Sequence, residues 1–312
     1  MAGQIATLTL NPAVDLASTA PDVQPTHKIR TFDEHVDPGG GGINVARVVH
    51  ALGGQTRAVI AAGGATGRFL TELLDEAGVP YRPVPVAGRT RVSFTVREAS
   101  SGQEYRFVPE GPELTEAEWR AALAALAEEP ADFVVASGSL PRGVPAWAYA
   151  ETARMAVAQG RRFVLDTSGA ALRASLGHGI DVMKPSLREL EALVGRALPD
   201  LPTQQAEALG LVRAGAARMV VVTLGSGGAI LATAAEVLHR PSLPGPVHSA
   251  VGAGDAFLAS LVLALARGAT PIEALDWGLA GGAAAIAGVG TARVRRDDVE
   301  AGYRRLTEAR PC

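Results

Sequence analysis

The chain reads as an α/β protein, a three-layer, doubly wound, mostly parallel sheet that carries a small β-sheet lid. Three observations predict this. Short runs of aliphatic and β-branched residues, apolar almost throughout as strands covered on both faces must be, alternate with longer amphipathic stretches. The strand-helix-strand order places helices on both faces of a parallel sheet. Two segments break the rhythm, and one of them reads as a hairpin, which supplies the lid.

In chain order, "IATLTL" from Ile5 to Leu10 predicts the first core strand, and residues 12–36 predict the first lid segment. "PGGGGINVARVVHALGG", from Pro38 to Gly54, sets four glycines in front of a helix with an apolar face. "RAVIAA" from Arg57 returns to the core sheet, and "TRVSFTVREASSGQEYRFVPEG" from Thr90 reads as a hairpin turning at Ser101 and Gly102, within a second lid segment over 89–110. "LTEAEWRAALAALAEE" opens a helix with a capping box of Thr115 and Glu118. Core strands follow in "DFVVAS" at Asp132, "RFVLDT" at Arg162, "DVMKP" at Asp181 and "RMVVVTLG" at Arg218. A later helix starts at Thr270, with Pro271 in its first turn and Glu273 three residues past the cap. There is no internal repeat and no low-complexity tract, so residues 1–312 are expected to form one domain.

Composition narrows the function. With 312 residues and 47% hydrophobic content the chain can bury a large core. A net charge of -3 gives no electrostatic footprint for nucleic acid or an anionic membrane. The one cysteine is the last residue, Cys312, which argues against disulfides within the chain, cysteine metal clusters and a buried thiol nucleophile. The six histidines show no close ligand spacing. No apolar run reaches membrane length and the N-terminus lacks a basic start and a cleavage pattern, so the cytoplasm is the expected compartment.

Chemistry concentrates at three glycine clusters. Glycine in a packed element costs up to about 1 kcal/mol relative to alanine, so the run Gly39 to Gly42 marks either a mobile linker or a backbone pressed against a ligand. Linkers are polar on both sides, whereas Ile43, Val45, Ala46, Val48, Val49 and Leu52 follow here. A ligand loop at a helix start, with N–H groups facing a polar or anionic group, is the better reading. In "SAVGAGDAFLASLVLALARG", Ser249 to Gly268, the lone acid Asp255 either caps an apolar helix through its dipole or takes a proton from an attacking hydroxyl. In the second case Gly252, Ala253 and Gly254 would turn N–H groups toward the developing charge. The third cluster is "VTLGSGGAI" from Val222, directly after a strand. GxxxxGK[ST] is absent and no cluster completes GxGxxG after a strand, which disfavours P-loop kinases and Rossmann dehydrogenases.

"GGGGINVARVVHALGG" and "VGAGDAF", in that order, are joined by "TLTLNPAVD", "AGGATG", "YRFVPEG", "SGSLPRG", "MKPSLREL" and "VTLGSGGA". On these motifs the chain resembles, over essentially its whole length, the ribokinase-like carbohydrate kinases of the PfkB family, and most closely their ATP-dependent type II 6-phosphofructokinase branch. The resemblance implies transfer of the ATP γ-phosphoryl group to the 1-hydroxyl of fructose 6-phosphate. The sister activities, 1-phosphofructokinase and tagatose-6-phosphate kinase, share "TLTLNPAVD" but usually carry GGKG where this chain has Gly39 to Gly42.

The resemblance also implies roles. Asp15 at the end of the first strand, Gly40, Gly41 and Asn44 would hold sugar hydroxyls, with Ser139 of "SGSLPRG" beside them. Asp255 would be the general base and Gly252, Ala253 and Gly254 its anion hole. Lys184, Ser186 and Glu189 would face ATP, Glu189 through the hydration shell of Mg²⁺, while Thr223, Gly225 and Gly228 would form the nucleotide loop. Lys28, Arg30, Arg91 and Arg106 on the lid would meet the substrate's phosphate, the first pair lent by the second subunit of a homodimer. Lid charges that merely block edge pairing are the plain alternative. Backbone carbonyls near Ser249, Val251 and Gly290 would bind K⁺. Two positions depart from the family pattern: Ser186 stands where asparagine is usual and Ala250 where threonine is common. Lys28 and Lys184 are the chain's two lysines, so 27 of its 29 basic residues are arginine, and both lysines fall on implied phosphate contacts. A kinase for nucleosides or unphosphorylated sugars would have no use for the basic lid, and a sugar-phosphate sensor on a dead kinase fold would not need Asp255 and its glycines.

Overall fold

The structure is a computed structural model that describes residues 3–246, 249, 251–288 and 294–308. Its strands are β1 Ile5–Thr9, β2 Ala13–Ala20, β3 Phe32–Gly39, β4 Thr56–Ala62, β5 Tyr81–Pro85, β6 Arg91–Glu98, β7 Glu104–Phe107, β8 Phe133–Ser137, β9 Arg162–Asp166, β10 Ile180–Met183, β11 Met219–Thr223, β12 Ala229–Thr233 and β13 Val237–Arg240. The helices are α1 Gly41–Ala51, α2 Gly64–Glu76, α3 Glu116–Glu128, α4 Ala148–Ala158, α5 Gly169–Ser175, α6 Leu187–Val194, α7 Leu201–Arg213, α8 Ala253–Ala266, α9 Pro271–Ala287 and α10 Arg296–Glu308.

Nine strands form one sheet in the order β13-β12-β11-β10-β9-β8-β1-β4-β5, parallel from β11 through β5. β8 explains why its strands had to be apolar on both sides. Val134 and Ala136 pack into the layer that holds α3 and α4, while Phe133 and Val135 pack into the opposite layer with α8 and α9. A third cluster, with Ile43 and Ala46 of α1, Leu70 and Leu74 of α2, Ile60 of β4 and Val14 of β2, seats the base of the lid. The expected capping boxes form at Thr115 and Glu118 of α3 and at Thr270 and Glu273 of α9.

The lid is the second sheet, ordered β3-β2-β6-β7, with β2 and β6 parallel and both outer pairs antiparallel. Its hairpin turns where expected, with Gly102 at φ 73°. Three strands escaped the sequence reading. β5 is "YRPVP", whose prolines suit only an edge, and it is the edge. β12 turns back antiparallel to β11, and β13 turns again antiparallel to β12, inside and after the third glycine cluster. Two placements also shift. β3 runs to Gly39, past the expected lid limit at residue 36, so α1 begins at Gly41, inside the glycine run rather than after it. Asp15 lies on lid strand β2 instead of at the end of the first strand, because β1 stops at Thr9 and the chain bends at Leu10 and Asn11.

Candidate active site

Chain order reverses beside β1, which has β4 on one side and β8 on the other. In open parallel sheets the crevice beyond the strand ends at such a point is where ligands bind. β1, β8, β9 and β10 end there, at Thr9, Ser137, Asp166 and Met183, and both glycine-led helices, α1 and α8, start over them.

The glycines of the first run are required by the protein's own packing. A Cβ on Gly39 would strike the Asp15 carboxylate, one on Gly41 the Ser137 hydroxyl, and one on Gly42 would lie 2.6 Å from the Leu8 carbonyl. Gly40 has φ 113° and would lie 2.8 Å from Thr9 Cγ2. The start of α1 is thus pressed onto the ends of β1 and β8, which brings Asn44, 5% exposed, to the crevice floor. α8 is brought there by Gly252, left-handed at φ 77°, and by close packing on α9, where a Cβ on Gly281 would strike Ser260.

Asp255 stands on the first turn of α8 and accepts a hydrogen bond from Asn44 Nδ2 at 2.8 Å. Its residue surface is only partly buried, so a substrate can reach it. Loss of hydration together with the neighbouring Asp166 carboxylate pushes its pKa up to about 7, against the Asn44 hydrogen bond and the Lys184 charge, which pull it down. Lys184, at the end of β10, places Nζ 3.1 Å from Asp166 Oδ1 at the end of β9. Burial works to lower the lysine's pKa, but Asp166, Asp255 and Glu189 together outweigh it and the net shift is upward. For Asp166, burial outweighs Lys184 and the carboxyl is raised. Asp166 is the site residue that the sequence reading missed. A lone acid closing an otherwise apolar strand, "RFVLDT", was the available signal, since strand ends are where such sheets keep their chemistry.

Lys184 also lies within reach of the α8 N-terminus, since a Cβ on Gly254 would be 3.5 Å from its Nζ. The expected nucleotide residues flank that corner. Ser186 caps α6 in a capping box whose Glu189 Oε2 accepts from the Ser186 N–H at 2.7 Å and hydroxyl at 2.9 Å. Thr223 bridges to Ser186 in parallel, and Gly225 opens the turn between β11 and β12. Gly228, at φ 92°, is required by the backbone of Arg240, onto which its Cβ would fall. Ser249 donates its N–H to Ile286 O at 3.4 Å and Val251 donates to Ser249 Oγ at 3.2 Å, while Gly290 lies outside the described residues.

Above the floor, Asp15 on β2 is raised chiefly by burial, against Ser93, Arg91 and Arg106, which favour its charged form. Arg91 is held by Pro109 O at 2.9 Å and Asn11 O at 3.0 Å, and burial lowers its pKa. Asn11 in turn reaches Ser139 Oγ at 3.2 Å. Arg106, Lys28 and Arg30 are exposed. Arg91 and Arg106 are therefore brought together around Asp15, whereas Lys28 and Arg30 sit on the loop between β2 and β3 without a described contact to the floor.

Among the described residues no group of three or more His, Cys, Asp or Glu side chains could hold a metal by itself. What the corner offers is Asp166 and Glu189, both electrostatic neighbours of Lys184. That donor set suits Mg²⁺, which commonly keeps its waters and binds through one or two carboxylates and a substrate's phosphates.

A carboxylate on the crevice floor with its pKa pushed up to about 7, a lysine at a helix N-terminus and a lid over the crevice suit an α/β enzyme that transfers a phosphoryl group to a small hydroxyl compound. The chain belongs to the pfkB family of carbohydrate kinases, whose family model matches residues 9–297. It is 47% identical over 299 residues to the ATP-dependent 6-phosphofructokinase isozyme 2 of Mycobacterium tuberculosis, covering 95% of this chain and 88% of the relative. The crystal structure of phosphofructokinase-2 from Escherichia coli in complex with fructose-6-phosphate superposes with a TM-score of 0.92 at 37% identity over 98% of this chain and 99% of that one. The same E. coli protein in complex with potassium gives 0.93 at 38%, over the same shares. A 1-phosphofructokinase from Rhodobacter capsulatus is 34% identical over 85% of this chain and 84% of its own length. No helix among the described residues is long and apolar enough to cross a membrane.

Proposed function

We propose that the chain transfers the γ-phosphoryl group of ATP to the 1-hydroxyl of fructose 6-phosphate. The observation that carries this reading is the pairing of Asp255, raised to about 7, with a lid that turns Arg91 and Arg106 toward the same crevice. Asp255 accepts the 1-hydroxyl proton as that oxygen attacks the γ-phosphorus in line, the bond from that phosphorus to the β,γ-bridging oxygen breaks and ADP leaves with its electron pair, and the N–H groups of Gly252, Ala253 and Gly254 meet the charge on the transferred group. Asp15, Gly40, Gly41, Asn44 and Ser139 orient the sugar. Lys184 balances the phosphate charge, and Ser186, Thr223, Gly225 and Gly228 flank the nucleotide. Asp166 and Glu189 would hold Mg²⁺ through its waters, and the ion, when bound, neutralises the phosphate oxygens. The E. coli relative in complex with potassium supports K⁺ binding, for which the carbonyls around Ser249, Val251 and Gly290 are the proposed site.

Lys28 and Arg30 complete the phosphate cluster from a second copy. Ile29, Phe32, Phe94, Phe107 and Val108, all on the lid or its margin, are exposed large apolar residues, and a two-fold pairing of lids would cover them. Sedimentation should give a dimer at working concentrations, and an active monomer would refute the lid interface. Purified protein with ATP and a sugar panel tests the reaction. Fructose 6-phosphate should exceed fructose and ribose by orders of magnitude in kcat/KM, with tagatose 6-phosphate weaker and fructose 1-phosphate inactive. A preference for fructose 1-phosphate would instead assign the 1-phosphofructokinase activity.

A further inference from the structure

We propose that Arg47 is a positioning residue for the base, acting through Asn44. The inference rests on the reading of Asp255 as that base. An ionised carboxylate only accepts hydrogen bonds, and an asparagine amide has one face that donates and one that accepts. Asn44 therefore serves Asp255 in one of its two orientations. Arg47, one turn further along α1, decides which. Its guanidinium has donors alone, and Nη1 lies 3.4 Å from Asn44 Oδ1, so the carbonyl face is drawn to Arg47 and Nδ2 is left for Asp255 at 2.8 Å. The guanidinium is itself held, by Asp37 Oδ1 at 3.0 Å from Nη2 and by Pro38 O at 3.2 Å from Nη1. Asp37 is 4% exposed and stands on β3 in register with Asp15 of β2.

The chain of bonds runs from lid strand β3 through Arg47 and Asn44 to Asp255. It links the strand pair that carries Asp15 to the residue that takes the proton. Lysine at position 47 would keep an ion pair with Asp37 but has no planar fork with which to bond Asp37, Pro38 and Asn44 together. With the amide free to turn, Asp255 loses a donor while Asp166, Asp15 and Lys184 still face it. The carboxyl then binds its proton more tightly.

The test is a double-mutant cycle on kcat with its pH profile, using Arg47→Lys, Asn44→Ala and their combination. Arg47→Lys should lower kcat by about tenfold, leave KM for ATP within about twofold, and move the acid limb of kcat upward by roughly 0.5 to 1 pH unit. In the Asn44→Ala background the same change should cost less than about twofold, because the residue through which it acts is gone. The neutral pair Asp37→Asn with Arg47→Gln, which removes both charges of this ion pair together, should reproduce the shift of the acid limb. Equal losses in both backgrounds, or an unmoved acid limb, would overturn the role of Arg47. Asp255→Asn separates the two levels: if it stays active the base is misassigned and this inference falls with it, whereas an inactive Asp255→Asn beside an additive cycle removes Arg47 alone.

Discussion

The crevice floor and the lid carry charge in opposite ways. On the floor every charge described is tied to a partner from the same chain: Asp255 to Asn44, Lys184 to Asp166, Arg47 to Asp37. On the lid, Arg106, Lys28 and Arg30 are exposed, and exposed aromatic rings stand among them at Phe32, Phe94 and Phe107. The floor is thus preorganised by folding, as electrostatic catalysis requires. The lid waits for what its charges and rings will meet. Chemistry should follow the floor, and selectivity the lid.

The sharpest way to break that division is to remove the carboxylate proposed as the base. Asp255→Asn should cut kcat by roughly 100- to 10,000-fold while sugar and ATP affinities stay close to wild type. A variant that keeps more than about a tenth of the wild-type kcat would return Asp255 to a helix-dipole role, and the floor would lose its claim to the chemistry.

On the lid, the expected losses are smaller and depend on the substrate. Charge-assisted hydrogen bonds contribute about 1.5 to 3 kcal/mol when sheltered, so Arg91→Ala or Arg106→Ala should lower kcat/KM for fructose 6-phosphate by roughly ten- to a hundredfold. For unphosphorylated fructose the same changes should cost almost nothing, since the removed group has no partner there. Equal losses for both sugars would mean that these arginines hold the lid together rather than read the phosphate. Arg91 is the more informative case, because two backbone carbonyls already occupy its guanidinium.

Much of this division was legible in the sequence, and the reasons differ by region. Strands covered on both faces announce themselves by unbroken apolar runs, which is why β1, β4, β8, β9, β10 and β11 could be read directly, whereas the edge strands β5 and β13 lack that signature and the apolar run of β12 is overlapped by the third glycine cluster. The glycine run pointed to the site as backbone pressed against a ligand, but packing adds a demand of its own that no local pattern shows: Gly39, Gly41 and Gly42 are required by Asp15, Ser137 and Thr9 with Leu8, contacts between segments far apart in sequence. Asp166 does close an apolar strand, but that signal gains its meaning only from Lys184, which follows the neighbouring strand β10 and is brought to it by the fold.

The pH dependence of the reaction sharpens the contrast further. With its carboxyl at about 7, Asp255 is ionised above that value and protonated below it, so kcat/KM should fall tenfold per pH unit as pH drops beneath about 7. An unperturbed aspartate would hold its rate down to about pH 4. The second ionisation of the substrate's phosphate lies near 6, so the profile should be repeated with fructose, on which only the floor can act. A limb near 7 with both sugars assigns it to Asp255, and a limb seen with fructose 6-phosphate alone assigns it to the lid and the phosphate.

The smallest expected effect concerns stability, and it asks whether the floor is built for folding or for function. Asp255 has a folded pKa raised above that of the unfolded chain, so folding favours its protonated form. The stability it withholds grows as pH rises from about 4 to about 7 and is then constant, the reverse of a salt-bridged carboxylate. Asparagine has the same shape, carries no charge, and can still accept from Asn44 Nδ2. Lys184 keeps Asp166 as its partner at 3.1 Å, so no buried charge is stranded by the change. Asp255→Asn should therefore melt higher than wild type by a few degrees at pH 8, with the gain shrinking as pH is lowered toward 5. Melting curves at those two pH values measure it. An asparagine variant that melts lower at both would show that the carboxylate stabilises the start of α8, and that the floor is held together by the charge thought to be kept there for catalysis.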